Sequence, residues 1–156
     1  MNELRVPKRR TPVEIQLRHG VIHRFAVFLG DFAHDHSGPE RLSDLLNDSG
    51  DFVPAYDLDS DSMTFLNREG VLVARLPGHA ELEVAEQLTL PTEHDVEIVL
   101  EDGARLRGLV SYVLPPDHSR LIDFLNDAPL FFRLFEQTSV ALINKRHVAS
   151  VALVEQ

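Results

Sequence analysis

The pattern of apolar and polar positions in the first half of the chain predicts short strands around one short helix. Residues 13–17 alternate apolar and polar side chains, which is the period of a half-buried strand. Leu42, Leu45 and Leu46 share one face of a helix of about two turns. Further strands are predicted at 21–29, 52–56, 63–66 and 71–76, the last two as a hairpin closed by 67–70. The predicted order is therefore β-β-α-β-β-β.

The same order is written a second time. Residues 41–48 read RLSDLLND, and residues 120–127 read RLIDFLND. On either side of these helices, the segments 96–100, 131–135 and 140–145 match 13–17, 52–56 and 63–68 in the first half. The length differences fall in loops, as expected of a duplicated fold. We therefore predict a basic arm at 1–12, a first unit at 13–76, a connector at 77–95 and a second unit at 96–156.

The size of each unit favours a small barrel. Short strands joined by tight turns curl more readily than they form an open sheet. A barrel of about 60 residues is marginally stable alone. We therefore predict a mainly β protein with short helices, in which two tandem small β-barrels pack together as a pseudo-dimer.

The second unit resembles the Sm-like family of small β-barrels. Residues 96–110 read VEIVLEDGARLRGLV, against a family pattern of roughly V-x-V-x-L-x-x-G-x-x-x-x-G-x-[LV], with Gly103 and Gly108 at the two glycines. Residues 140–151 resemble the second family motif in position, but Asn144 and Lys145 stand where the family has Arg-Gly. The first unit has Phe25 in place of Gly108. The resemblance implies an Sm/SH3-like fold; the family's RNA-contacting residues are not preserved, so RNA binding is kept only as an alternative.

Composition narrows the classes of function. The chain has no cysteine, which excludes disulfides, thiolate chemistry and Cys-based zinc sites. It contains no apolar run of about 18 residues, so no membrane span is expected, and residues 1–10 do not read as a signal peptide. We expect a cytoplasmic protein. Its net charge of −10 repels phosphate backbones, and nucleic acid is not an expected partner.

The basic residues are concentrated at the N-terminus. Lys8, Arg9 and Arg10 precede the first predicted strand and could hold a nucleotide or another anion. This lead-in is similar to the Arg-rich lead-in of the cyclic-di-GMP-binding PilZ domain, but the later D-x-S-x-x-G pattern of that family ends at Glu40 here. The other interpretation is a solvated tail.

Two acidic loops have partial metal-site patterns. The first contains Asp31, His34, Asp35 and His36. Imidazole and carboxylate suit zinc or nickel, but alternate residues of an extended segment point in opposite directions, so a polar surface loop is favoured. The second, 57–61, opens like a calcium loop, but Ser62 and Arg68 replace the glycine and glutamate that such a loop needs. No metal or cofactor is predicted.

The repeated RLxDxLND segment could form twin ligand sites, but a structural role is favoured. Arg41 with Asp44, and Arg120 with Asp123, have the spacing of local helix ion pairs, and the Asn-Asp at each helix end suits cap and turn hydrogen bonds.

The pair Phe131 and Phe132 suggests an interface, because adjacent strand residues face opposite sides: if one ring lies inside its unit, the other faces the sister unit, a partner or solvent. Burial between the two units is the favoured alternative to an exposed contact surface. No catalytic residue is predicted, since no nucleophile elbow or phosphate loop is present. We therefore expect a non-enzymatic scaffold or adaptor that binds another protein or self-associates. The alternatives are a ligand-sensing module acting through 8–10 and an RNA-associated Sm-like protein.

Overall fold

A computed structural model describes residues 8–18, 20–33, 38–81, 90–113, 115 and 120–154, and within them the chain is mainly β. The strands of the first unit are β1 Lys8–Leu17, β2 Ile22–Gly30, β3 Phe52–Asp57, β4 Ser62–Asn67 and β5 Val71–Pro77. Those of the second are β6 Thr92–Leu100, β7 Arg105–Tyr112, β8 Phe131–Phe135, β9 Ser139–Asn144 and β10 Val148–Leu153. The helices are α1 Leu42–Leu46 and α2 Leu121–Asp127, and short 3-10 turns lie at Arg68–Gly70, Gly78–Glu81 and Lys145–His147.

The strands form one antiparallel sheet in the order β10-β6-β7-β8-β9-β5-β1-β2-β3-β4. This sheet does not close into a barrel, so the mainly β prediction is confirmed and the two tandem barrels are not. The sequence repeat has a counterpart in the strand order, because β5-β1-β2-β3-β4 is followed in the second unit by the corresponding order β10-β6-β7-β8-β9.

The predicted hairpin between 63–66 and 71–76 is wrong. β5 pairs with β1 on one side and with β9 of the second unit on the other. The chain turns away from β4 at Arg68–Gly70, where the side chain of Asn67 accepts a hydrogen bond of 2.9 Å from the Glu69 N–H. Both edges of β5 are therefore occupied by strands other than its neighbour in sequence.

Each repeated helix starts with the predicted local ion pair. The backbone N–H of Arg41 donates to Asp44 Oδ2 at 2.8 Å, and the equivalent bond from Arg120 to Asp123 measures 3.2 Å. The same carboxylates pair with the guanidinium groups of these arginines, at 3.4 and 3.2 Å. Leu42, which begins α1, is fully buried. The polar positions of the repeat therefore fix the start of each helix, and its first leucine anchors α1 to the core.

Buried apolar side chains form two clusters, and each cluster contains residues from both units. The first core is Val13, Ile15, Phe25, Val27, Leu29, Leu42, Leu46, Val53, Ala55, Leu66, Val71, Ala74, Leu76, Phe131, Val140 and Leu142. The second core is Leu72, Val73, Val96, Ile98, Leu100, Val110, Tyr112, Ala128, Phe132, Leu134, Ala141 and Ile143. Three residues of the second unit thus complete the first core, and two residues of β5 enter the second.

β9 shows how this exchange works. Its residues from Val140 to Ile143 are all fully buried and alternate between the two cores. Successive side chains of a strand point to opposite faces, so a strand with a core on each face must be apolar throughout. β9 is therefore a central strand of the whole sheet rather than the edge of a separate unit.

Candidate interaction surface

The junction between the units is built on the pairing of β5 with β9. Their antiparallel register sets Val73 opposite Ile143 and Leu76 opposite Val140. Side chains from the two units are interleaved along this ladder, because β5 and β9 each contribute to both cores. The junction is consequently as well buried as the interior of either unit.

Asn47, from the first copy of the repeated segment, reaches across this junction. Its Nδ2 donates to the carbonyl oxygen of Phe131 at 3.1 Å, and its Oδ1 accepts from the Phe131 N–H at 2.8 Å. The prediction that this asparagine serves cap and turn hydrogen bonds is therefore wrong for its side chain. The side-chain amide fastens the end of α1 to the first residue of β8.

A buried ion pair supports the same junction. Glu81 is almost fully buried, and its Oε1 lies 2.9 Å from Nε of Arg133 on β8. The second carboxylate oxygen accepts from the Ser43 N–H at 3.3 Å, and Arg133 also donates to the Ser43 hydroxyl at 3.1 Å. An unpaired buried carboxylate would be costly, so this network fixes the position of β8 relative to α1.

Asn144 makes a third connection, at the end of β9. Its Nδ2 donates to the carbonyl oxygen of Val71 at 3.0 Å, and its Oδ1 accepts from the Arg146 N–H at 3.0 Å. Arg146 forms an ion pair with Glu69 of the first unit. The turn after β9 is thereby joined to the turn that begins β5.

A groove of about 450 Å³ lies between α1, β8 and α2. Its lining is Glu40, Arg41, Ser43, Asp44, Asn47, Asp48, Ser111, Phe124, Pro129, Phe131, Phe132 and Arg133. Both of its arginines are engaged in ion pairs, Arg41 with Asp44 and Arg133 with Glu81. Of these two pairs, Arg133–Glu81 joins the two units and Arg41–Asp44 fixes the start of α1, so neither guanidinium is without a carboxylate partner.

The hairpin of β3 and β4, at one end of the sheet, presents an apolar face to solvent. Phe52, Met63 and Phe65 are 58, 50 and 66% exposed, and Pro54 is exposed beside them. The register places Pro54 directly opposite Phe65, so both lie on the same face. We call these four residues the outer hairpin face. Contiguous exposed apolar side chains of this kind mark an interaction surface more often than isolated ones do.

The free edge of β4 adjoins the outer hairpin face. Within the described residues, β4 is hydrogen-bonded only to β3, and β10 at the opposite end of the sheet only to β6. An unpaired strand edge is a row of backbone donors and acceptors that can accept another strand. The hairpin thus offers both main-chain pairing and apolar contact.

Phe131 and Phe132, predicted as an interface, are both buried in this chain. Phe131 is 1% exposed and belongs to the first core, whereas Phe132 is 3% exposed and belongs to the second. They therefore lie where the two units meet, on opposite faces of β8. The exposed surface is formed by the hairpin of the first unit that corresponds to theirs.

The basic residues predicted to form an arm belong to β1, which begins at Lys8, before the predicted start of the strand. Arg9 Nε lies 3.4 Å from Asp31 Oδ1, and the guanidinium of Arg10 sits 4.7 Å from the centre of the Tyr56 ring. Adjacent strand residues point to opposite faces. The two arginines thus have separate partners and do not converge on one anion.

Of the loop predicted as a possible metal site, His34, Asp35 and His36 lie outside the described residues. Among the residues that the structure does describe, no group of three His, Asp or Glu side chains is placed to hold a metal ion. In the calcium-like turn, Asp57 accepts from the N–H groups of Asp59 and Ser60 at 2.9 and 3.1 Å. These hydrogen bonds hold the pKa of Asp57 below its ordinary value.

Tyr112, on β7, also has a shifted pKa. Burial raises the pKa of its hydroxyl, and Asp123 adds to this effect. Its ring stacks on Phe124 of α2, with 4.8 Å between the centroids, and its hydroxyl lies 3.1 Å from His94 Nε2. The neutral phenol is thus favoured, and its ring packs α2 against β7.

Comparison with known proteins leaves the family open. No protein-family model, no curated protein and no solved structure matches this chain. The resemblance to Sm-like barrels therefore stays a prediction. Among the described residues, no helix has the length and apolar character needed to cross a membrane.

Sequence reasoning missed the outer hairpin face, although a signal was present. Val140 to Ile143 is a continuous apolar run, whereas the matching segment of β4 keeps Thr64 between Met63 and Phe65. A continuous run indicates a strand covered on both faces, and an alternating one indicates a strand with one covered face. The comparison of the two repeats could thus have shown that the first hairpin is covered on one face only, but the alternation would have assigned the covered face to Met63 and Phe65, which are exposed.

Proposed function

We propose that this chain is a non-enzymatic protein-binding scaffold, and that its contact surface is the outer hairpin face together with the free edge of β4. The observation that carries the proposal is the exposure of Phe52, Met63 and Phe65 on a strand pair whose last edge is unpaired in the described structure. Strand addition supplies affinity through main-chain hydrogen bonds, and side-chain contacts beside it supply selectivity.

The size of the apolar contact suits a specific but modest interaction. Fully burying one large apolar side chain stabilises by about 1.5–3 kcal/mol. Phe52, Met63 and Phe65 are between half and two-thirds exposed, so covering all three contributes roughly 3–5 kcal/mol before the cost of association. Backbone pairing along β4 is needed to add to this.

The proposal retains the idea of two small-barrel units. The repeated strand order, the two cores and the one helix in each unit support a duplicated unit. We propose that each unit is an Sm/SH3-like sheet that stays open because its end strands do not pair with each other. An open unit has edges, whereas a closed barrel has none. The scaffold role follows from these edges.

The test is affinity purification from the source cell with quantitative identification of captured proteins. The wild-type chain is compared with Phe65→Asp, which places a charge on the outer hairpin face, and with Ile22→Asp. Ile22 is 55% exposed and lies on β2, so it is a matched control away from β4. We expect Phe65→Asp alone to lose the bound proteins. Equal capture by all three chains would contradict the proposed surface.

A further inference from the structure

The two ends of the sheet correspond, through the repeat, to the two strands already paired at its centre. β10 is the second-unit counterpart of β5, and β4 is the first-unit counterpart of β9. β5 and β9 form the junction, whereas β10 and β4 are the terminal strands. The chain therefore contains one paired interface, β5 with β9, and the two corresponding strands, β10 and β4, each with an unpaired edge in the described structure.

The side chains of β4 fit this correspondence. On β8 and β9, Phe131, Val140 and Leu142 are 1, 0 and 0% exposed, because they enter the core of the neighbouring unit. Their counterparts in the first unit are Phe52, Met63 and Phe65. These are the exposed residues of the outer hairpin face. The face thus has the composition of a buried junction without a neighbouring unit to cover it.

The repeated asparagine supplies independent support. Asn47 binds both main-chain polar groups of Phe131 across the junction. Its counterpart Asn126 lies in the last turn of α2, in the same sequence context, but is exposed, and it makes no side-chain hydrogen bond among the described residues. The main-chain groups that correspond to its target are those of Phe52.

The helix–strand contact of the junction, α1 against β8, also has counterparts on α2 and β3. At the junction, Ser43 on α1 accepts from Arg133 on β8. Their counterparts are Ile122 on α2, which is 51% exposed, and Pro54 on β3, which is also exposed. The polar pair of the junction thus corresponds to two apolar residues, one on α2 and one on β3. These two exposed surfaces can therefore pack against each other through apolar contact.

We infer that the strand accepted by β4 is β10 of a second copy of this chain, with α2 of that copy placed against β3. The inference rests on the proposed function and names its partner. The β5–β9 register, carried over, sets Thr64 opposite Ala152 and Met63 opposite Leu153 of the other copy. Such a contact joins unlike surfaces, so copies add head to tail and form either a closed ring or a filament.

The first experiment tests the register by disulfide cross-linking. The chain has no native cysteine, so Thr64→Cys and Ala152→Cys introduce the only thiols. Directly opposite residues of an antiparallel pair have Cα atoms about 4.5–5.5 Å apart, a separation that a disulfide can bridge. The two single variants, mixed and oxidised, should give a mixed dimer, and the double variant a ladder of larger species. Thr64→Cys with Ala149→Cys, which is also exposed on β10 but out of register, is the control.

Efficient linking of 64 to 152 with little linking of 64 to 149 supports the inference. Equal linking in both pairs, or none in either, overturns it.

The second experiment measures mass against concentration by light scattering and sedimentation. The wild-type chain should assemble into multiples of 17.6 kDa. Asn126→Ala should raise the apparent Kd at least about tenfold and Phe65→Asp about a hundredfold. Ile22→Asp should have no effect. A wild-type chain that keeps its single-chain mass up to about 200 μM, some twenty times a typical weak Kd of 10 μM, overturns the inference.

The two proposals can fail separately. If the wild-type chain stays single but Phe65→Asp still loses a captured protein of another kind, the scaffold function stands and the self-pairing fails. If Phe65→Asp changes neither mass nor capture, the proposed contact surface fails as well.

Discussion

Replacing the two asparagines of the repeat by alanine, one at a time, should lower the free energy of unfolding by very different amounts. Asn47→Ala deletes two hydrogen bonds, of 3.1 and 2.8 Å, to the main-chain carbonyl and N–H of the buried residue Phe131. A hydrogen bond contributes about 0.5–1.5 kcal/mol, and stranded partners add to the loss, so the free energy of unfolding should fall by about 2 kcal/mol. For a chain of this size, 1 kcal/mol corresponds to about 2–4 °C, so Tm should fall by about 4–8 °C.

The measurement is urea unfolding followed by far-ultraviolet circular dichroism, with the slope m checked for constancy. Both substitutions are made in a Phe65→Asp background, because association would otherwise add to apparent stability. In that background Asn126→Ala should cost under about 0.5 kcal/mol, since Asn126 is exposed. Equal losses for the two variants would refute the reasoning, because it assigns the same residue a junction role in one copy and an external role in the other.

Three further substitutions test the interior and the acidic turn. Arg133→Met leaves Glu81 buried without its ion-pair partner and should cost about 3–5 kcal/mol in urea unfolding; adding Glu81→Gln should recover part of the loss, and no recovery would contradict the pairing. Gly108→Ala should lower the free energy of unfolding by about 1–3 kcal/mol, because the added Cβ would lie 2.5 Å from the Phe135 carbonyl oxygen. The measurement is thermal unfolding, with Gly70→Ala as the control because a Cβ there meets no atom within 4 Å. An unchanged Tm for Gly108→Ala would contradict the close contact. The lowered pKa of Asp57 should contribute stability that is present above its ordinary pKa and lost as pH falls through the lowered value; Asp57→Asn should remove this part of the pH dependence of Tm, and an identical acid profile would contradict it.

The hydrophobic pattern was sufficient for the local elements. α1 and α2 lie where the leucine spacing and the Arg–Asp pairs predicted them, and the strands match the alternating segments. The start of β1 was missed because Lys8 to Arg10 are exposed and polar. These residues are extended because they pair with β2. Their own sequence does not reveal this pairing, since they are neither apolar nor alternating.

The pattern failed where the decision depended on distant partners. The sequence has tight-turn residues between β4 and β5, and local turn chemistry favours a hairpin there. β5 instead pairs with β9, far along the chain, because both strands are apolar on two faces and need a core on each. Asn47 was assigned to its own helix for the same reason, since its target, Phe131, becomes its neighbour only through that pairing.

The exchange of side chains between the cores has a consequence for biosynthesis. The first core needs Phe131, Val140 and Leu142, which lie on β8 and β9 and are synthesised more than 50 residues after the first unit. The first unit therefore keeps an open hydrophobic face until β8 and β9 have left the ribosome. Since contacts of long sequence separation form slowly, nascent chains halted before β8 should bind chaperones, whereas chains halted after β9 should bind them less.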